Sequence, residues 1–472
     1  MVYAAGQGDG KEKGLNNFAV DGLIKRVIGG HWGLAPALGK MALENKIEAY
    51  NFPQGVISHL FRDIAAGKPG TITSVGLNTF VDPRLGGGKI NEKTKEELVK
   101  IINIDGKDYL FFKTFPINVA FLRGTTSDEK GNISMEKEAL TLEALAIAMA
   151  TKNSNGIVIV QVERMTTQHK LSPQLIKIPG ILVDCVVVAK PENHWQTFSE
   201  QYNPAYSGEI RVPSNSIKVM EFDIRKIIAR RATIFLKMNA IVNLGIGMPE
   251  GVASVAFEEG ILDKITLTVE PGGIGGIPSG GLSFGAVSNA DAIIDQPNQF
   301  DFYDGGGLDQ AFLGLAEADS EGNINVSKFG SKLAGAGGFI NISQNAKSIY
   351  FLGTFTSKPN VKVENGKLIF GEDTSAKKFV KKVSQITFSG KYASLQKKEV
   401  YYITERCVFK LVEEGLELIE IAPGVDLEKD IFDKMDFKPL IAKDLRTMPE
   451  FIFWDKPMGL EARQSLSLED SS

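Results

Sequence analysis

One pattern in this chain returns once at a constant spacing of 191 residues: Phe121-Leu122 with Asp128, Gly131, Asn132 and Ile133 recurs as Phe312-Leu313 with Asp319, Gly322, Asn323 and Ile324. A repeat of that length is a whole domain, so the 472 residues are constrained to two related halves. Within each half, short apolar runs alternate with helical patterns. Strands are expected at 109–112, 119–122, 157–162 and 181–188, and helices at 35–45, around 140–150, and from Asp223 with Ile224, Ile228, Ala232 and Phe235 on one face. That alternation predicts an α/β fold of two doubly wound open sheets related by duplication. A stretch without periodicity near 203–216 separates the halves, giving domains at 1–205 and 223–460, a linker at 206–222 and a disordered tail at 461–472. Residues 82–91, rich in Gly and Pro, read as a surface loop.

The second half holds the most informative stretch. Ile265 to Val269 reads as a buried strand, Glu270 stands where it breaks, and Pro271-Gly272-Gly273-Ile274-Gly275-Gly276-Ile277-Pro278-Ser279-Gly280-Gly281 follows as a glycine-rich loop. Open α/β sheets collect ligands at that edge, and glycines let a ligand approach the main chain. The dinucleotide fingerprint G-x-G-x-x-G is not met: Gly273 to Pro278 ends in proline, Gly245-Ile246-Gly247-Met248-Pro249-Glu250 in Glu, and Gly335-Ala336-Gly337-Gly338-Phe339-Ile340 in Ile. No phosphate loop of the G-x-x-x-x-G-K-[ST] type occurs.

Composition narrows the chemistry. A formal net charge of -4 argues against nucleic acid as a partner. The two cysteines, Cys185 and Cys407, lie in apolar runs, which suits packing in a reducing cytoplasm. No run of 18 apolar residues exists, so no membrane partner is expected. The histidines His31, His59, His169 and His194 lack ligand spacing, so neither a metal site nor a Ser-His or Cys-His pair is expected. His31, in Gly29-Gly30-His31-Trp32-Gly33, stays open between loop packing and a functional role. Gln54, at the turn Phe52-Pro53-Gln54-Gly55, is either a helix-start cap or an uncharged hydrogen-bonding partner for a carboxylate or carbonyl.

Taken together, Asn243-Leu244-Gly245-Ile246-Gly247-Met248-Pro249, Thr268-Val269-Glu270 and Gly335 to Phe339, with Ala4-Ala5-Gly6-Gln7-Gly8-Asp9-Gly10, His31-Trp32-Gly33-Leu34-Ala35-Pro36 and Pro53-Gln54-Gly55, resemble a family I CoA-transferase of the fused, single-chain kind. The resemblance covers essentially the whole chain and points to short-chain acyl-CoA:acetate enzymes of the acetate, propionate and acetoacetate type. It implies that Glu270 is the nucleophile and that Gly335, Gly337, Gly338 and Phe339 form an oxyanion and CoA site. Gly245 and Gly247 either meet CoA or merely tighten a strand-to-helix junction. Gln54, Gly55, Gly275 and Gly276 are expected to line the substrate pocket. Relatives begin with a further strand-helix-strand segment, so the first domain's sheet is expected to be short of it.

The implied chemistry matches the composition. A thioester's thiolate departs as a weak base, so a carboxylate attacks it without a general base. Coenzyme A is then substrate and covalent intermediate, no separate cofactor is needed, and the family suggests a homo-oligomer. Glu163, Glu250 and Glu405 are rival carboxylates without a comparable glycine loop, and Lys358 is either a solvated surface lysine or a contact for CoA phosphates. The rival functions are acyl-CoA hydrolysis on the same fold and a non-catalytic remnant.

Overall fold

The computed structural model describes residues 1–213 and 219–461; the expected tail beyond 461 and residues 214–218 of the expected linker lie outside the described residues. The described chain packs as two compact units. The first combines Met1–Val212 with Thr268–Gly305 and Gly330–Asn341. The second combines Pro213–Leu267, Gly306–Phe329 and the chain from Ile342 onward. Both are α/β with open sheets.

The first unit opens with a parallel sheet of Val2–Tyr3, Arg26–Gly29 and Glu48–Asn51. Its helices start where the sequence lets them: Pro36 stands in the first turn of Pro36–Leu43, where no amide donor is needed. In Gln54–Ala65 the apolar residues Val56, Ile57, Leu60, Phe61 and Ile64 fall at helical spacing and are buried. Val27, Trp32, Leu38, Ala42 and Ala49 make the core beside this sheet. A second parallel sheet joins Val119–Arg123, Ile157–Val162 and Cys185–Val188, covered by the helix Ala144–Asn153. Along Ile157–Val162 the residues alternate, with Val158, Val160 and Val162 fully buried.

Three local expectations are corrected. The run at 181–188 is not a buried strand: Ile181 is 87% exposed within the short 3-10 turn Gly180–Leu182, and Cys185–Val188 is a largely exposed edge. Cys185 is therefore exposed rather than core, whereas Cys407 is buried. The loop at 82–91 is only partly on the surface, because Asp82, Gly88 and Ile90 are buried.

In the second unit Ile241–Leu244, Gln310–Gly314, Ser348–Leu352 and Glu399–Ile403 run parallel in that spatial order, continued by antiparallel Cys407–Val412 and Gly415–Ile421. The helix Ile224–Thr233 is capped by the Asp223 carboxylate, which accepts from the Arg225 and Lys226 amides, and buries Ile227, Ile228 and Ala232. Phe312 stacks on Tyr350 at 4.6 Å between ring centroids within this core.

The repeat is structural. Val119–Arg123, Thr126–Ser127 and Ile133–Ser134 have counterparts in Gln310–Gly314, Glu317–Ala318 and Ile324–Asn325, at the sequence offset of 191. The turns match too: Asp128 Oδ1 accepts from the Lys130 and Asn132 amides, and Asp319 Oδ1 from those of Glu321 and Asn323. No helix among the described residues is long and apolar enough to cross a membrane.

Candidate active site

Glu270 follows the short strand Thr266–Thr268 and sits in a tight turn. The Val269 amide donates to Gly273 O at 3.0 Å, and the Gly272 amide returns to Val269 O at 3.1 Å, so Glu270 and Pro271 occupy the turn's tip. Gly272 adopts φ +125°, and a side chain there would run into the Ile294 carbonyl; the glycine is demanded by the turn. Glu270 is half-buried overall, and its Oε2 is shut off from solvent.

The third glycine turn is built in the same unit, and main-chain links from the first-half motifs hold it. The Trp32 and Gly33 amides donate to Ala334 O at 2.7 and 2.9 Å. The Gly337 amide donates to Gly30 O, and Gly337 O accepts from the Gln54 amide, both at 2.9 Å. Asn51 completes the clamp. Only 1% exposed, it donates from Nδ2 to Gly29 O and Gly30 O at 2.8 and 2.7 Å and accepts the Ala336 amide at 2.9 Å. With Phe339 N bonded to Ala336 O, the Ala336, Gly337 and Phe339 amides are all committed inside the protein. The Gly338 amide has no such commitment among the described residues.

One helix, Gln296–Asp304, bridges this loop and the Glu270 turn. Gln54, 4% exposed, donates from Nε2 to Gln296 Oε1 at 3.2 Å, and Gln296 Nε2 donates to Ser58 Oγ at 2.7 Å. One turn later Gln299 Nε2 donates to Val269 O at 3.3 Å and to the Tyr303 hydroxyl at 2.9 Å, while that hydroxyl donates to Thr268 Oγ1 at 2.8 Å. Gly55 N donates to Asn341 Oδ1 at 3.1 Å, tying the Gln54 helix to the segment after the glycine turn. The Gln296 amide donates to Leu142 O at 2.9 Å, and the next residue, Glu143, is 6% exposed with a carboxyl that burial pushes up to about 7.

Asn51, Gln296, Gln299 and Tyr303 were not singled out from sequence. Their signal is weak: Gln296, Gln299 and Tyr303 share one helical face, which looks like an ordinary polar stripe until its partners are known. Gln54 and Gly55 stand with the Gly335–Phe339 loop, and Glu270 joins them through the Gln296 helix. Gly275 and Gly276, both at positive φ, instead face their own hairpin, against the Asp291 carboxylate and the Ser288 carbonyl. Gly245 and Gly247 belong to the second unit, where the Gly245 amide donates to Phe312 O at 2.8 Å.

The rival carboxylates have other surroundings. Glu405 is fully buried, accepts the Phe355 amide at 2.9 Å and pairs with Arg406 at 3.0 Å; burial nevertheless pushes its carboxyl up. Glu163 pairs with Lys137 at 3.1 Å. Glu250 is half-buried with its carboxyl raised by burial, in the second unit. Lys358 is exposed. Among the described residues, no group of three or more His, Cys, Asp or Glu could hold a metal ion.

The turn that carries Glu270 and the glycine loop at 335–338 are linked through Gln54, Gln296 and Gln299. Comparison with known proteins gives the class. The coenzyme A transferase family model matches residues 4–189. The caffeate CoA-transferase of Acetobacterium woodii is 49% identical over 467 residues, 98% of this chain and 89% of that protein. The acetate CoA-transferase YdiF of Escherichia coli K12 is 45% identical over 460 residues, 97% of this chain and 86% of that one. The crystal structure of the acyl-CoA transferase YdiF from E. coli O157:H7 in a thioester complex with CoA superimposes with a TM-score of 0.91 at 44% identity, covering 97% of this chain and 87% of that one. The chain belongs to the coenzyme A transferase family and is a CoA-transferase.

Proposed function

We propose that this enzyme moves CoA reversibly between a short-chain acyl-CoA and a free carboxylate such as acetate, through a thioester on Glu270. The observation that carries the reading is the Gln296–Asp304 helix, which holds Gln54 with one glutamine and the Glu270 turn with the next. The related YdiF structure in a thioester complex with CoA supports it.

In the first step a Glu270 oxygen attacks the acyl-CoA carbonyl carbon, the C–S bond breaks, and CoA thiolate leaves behind an acyl-glutamyl anhydride. The thiolate then attacks the glutamyl carbonyl carbon and the acyl group departs as its free carboxylate, leaving glutamyl-CoA. The acceptor acid attacks the same carbon and releases thiolate. Thiolate then attacks the new acyl carbonyl and restores Glu270. Each tetrahedral oxyanion needs a donor, worth about 2.7 to 4 kcal/mol where one has been removed elsewhere. The Gly338 amide is the donor we assign to that task, with Gly335, Gly337 and Phe339 shaping the loop around it. Gly245 and Gly247 are proposed for CoA itself. Water has to be excluded, because either covalent intermediate would hydrolyse.

The relatives' names cite acetate and caffeate, one small and one aromatic acid, so a panel of both kinds measures where this pocket lies. A homo-oligomer in the cytoplasm completes the proposal; the free, exposed Cys185 suits a reducing compartment. The test is acetate-dependent exchange: the wild type consumes acyl-CoA only when acid is supplied, and Glu270→Ala does not. Acid-independent CoA release would mark a hydrolase, and activity retained in Glu270→Ala would refute the assignment.

A further inference from the structure

His31 is drawn into the candidate site by features that a packing residue does not need. Its ring is surrounded by glycines from three separate segments. A Cβ placed on Gly6 would stand 2.9 Å from His31 Nδ1, one on Gly33 would stand 3.2 Å from Cε1, and one on Gly337 would stand 3.7 Å from Cδ2. That same Gly337 position is 3.7 Å from Gln54 Oε1, so the imidazole and the Gln54 amide flank one residue of the third glycine turn. The flanking main chain is fixed on both sides, by Gly337 N to Gly30 O and by Trp32 N to Ala334 O.

The two ring nitrogens differ. Nδ1 is buried against Gly6 and has no hydrogen-bond partner, whereas the residue as a whole is half-buried and its Nε2 is not shut off in this way. A buried N–H without an acceptor is rarer and costlier than an unfilled lone pair, so the proton belongs on Nε2. Burial holds the ring down to about 4, so at neutral pH it carries no charge. An uncharged donor beside an acyl site polarises a carbonyl without tying up a carboxylate as an ion pair.

We propose that His31 contacts substrate, donating a hydrogen bond from Nε2 to the carbonyl or carboxylate oxygen of the acyl group held beside the Gly335–Phe339 loop. The inference rests on the CoA-transfer reading above. In the 15N spectrum of the whole enzyme at pH 7, with His31 identified by its loss in His31→Gln, the Nε2–H tautomer is expected and saturating acetate shifts that nitrogen. An Nδ1–H tautomer, or an Nε2 unmoved by both acetate and acyl-CoA, overturns it, whether or not Glu270 forms an adduct. Two variants give the kinetic side: His31→Phe fills the ring's space without a donor, and His31→Gln restores an uncharged one. His31→Phe is expected to keep the wild-type melting temperature and lose roughly 100-fold in kcat, the scale of one lost donor, with His31→Gln recovering most of it. Equal rates for wild type and His31→Phe, or equal losses in both variants, would leave only packing. Absence of any covalent CoA on Glu270 in the wild type would instead strike the parent reading.

Discussion

At the scale of single residues, the carboxylates divide by surroundings. Glu270 stands at the tip of a turn, whereas Glu405 answers to Arg406 and the Phe355 amide inside a core. Glu143 is the unusual third case: it is 6% exposed, its Oε2 has no hydrogen-bond partner, and burial raises its carboxyl from 4.5 to about 7. Below 4.5 both folded and unfolded chains hold this proton, between the two values only the folded chain does, and above about 7 the folded chain buries a charge. The contribution of Glu143 to stability therefore falls as pH rises from 4.5 to about 7. Glu143→Gln is expected to flatten that limb in denaturant titrations and to gain on the order of 3 kcal/mol above it. A slope unchanged by the substitution would refute this account. Glu270 could be read from sequence because a charged residue between an apolar run and glycines is a local signal. Asn51, Gln296 and Gln299 could not, because buried amides matter through partners far along the chain.

At the scale of elements, the decisive piece is the glycine turn at 335–338. Gly335 adopts φ +80°, and a Cβ there would stand 2.8 Å from Gly30 O and 2.9 Å from Trp32 N. Gly67 has a similar φ of +68° with nothing within 4 Å of that position. Gly67→Ala should thus cost only the left-handed strain, about 1 to 2 kcal/mol, with exchange activity unchanged. Gly335→Ala should cost more in thermal unfolding and abolish exchange, because the clash is with backbone. Equal effects would mean that the turn's fit to the His31 loop is unimportant. Elements were legible where period and burial agree, as in Ile157–Val162. The run at 181–188 misled because apolar side chains such as Ile181 stand exposed, and composition does not say which edge a strand occupies.

At the scale of the molecule, the repeat announced two α/β halves. The return of Thr268–Gly305 and Gly330–Asn341 to the first unit was not announced, since no local pattern encodes which sheet a loop rejoins. Each unit carries a thiol reporter. Cys185 is exposed in the first, and Cys407 is fully buried in the second with its thiol raised by burial. In native enzyme a thiol reagent should modify Cys185 alone, with Cys407 reacting only as the second unit's core opens in denaturant. Prompt labelling of Cys407 would contradict that core. The central claim is tested most directly by peptide mass mapping after incubation with acyl-CoA. The account predicts covalent CoA on the peptide carrying Glu270, discharged by adding acetate and absent from Glu270→Gln. CoA attached to another residue, or full exchange activity with no adduct on that peptide, would contradict it.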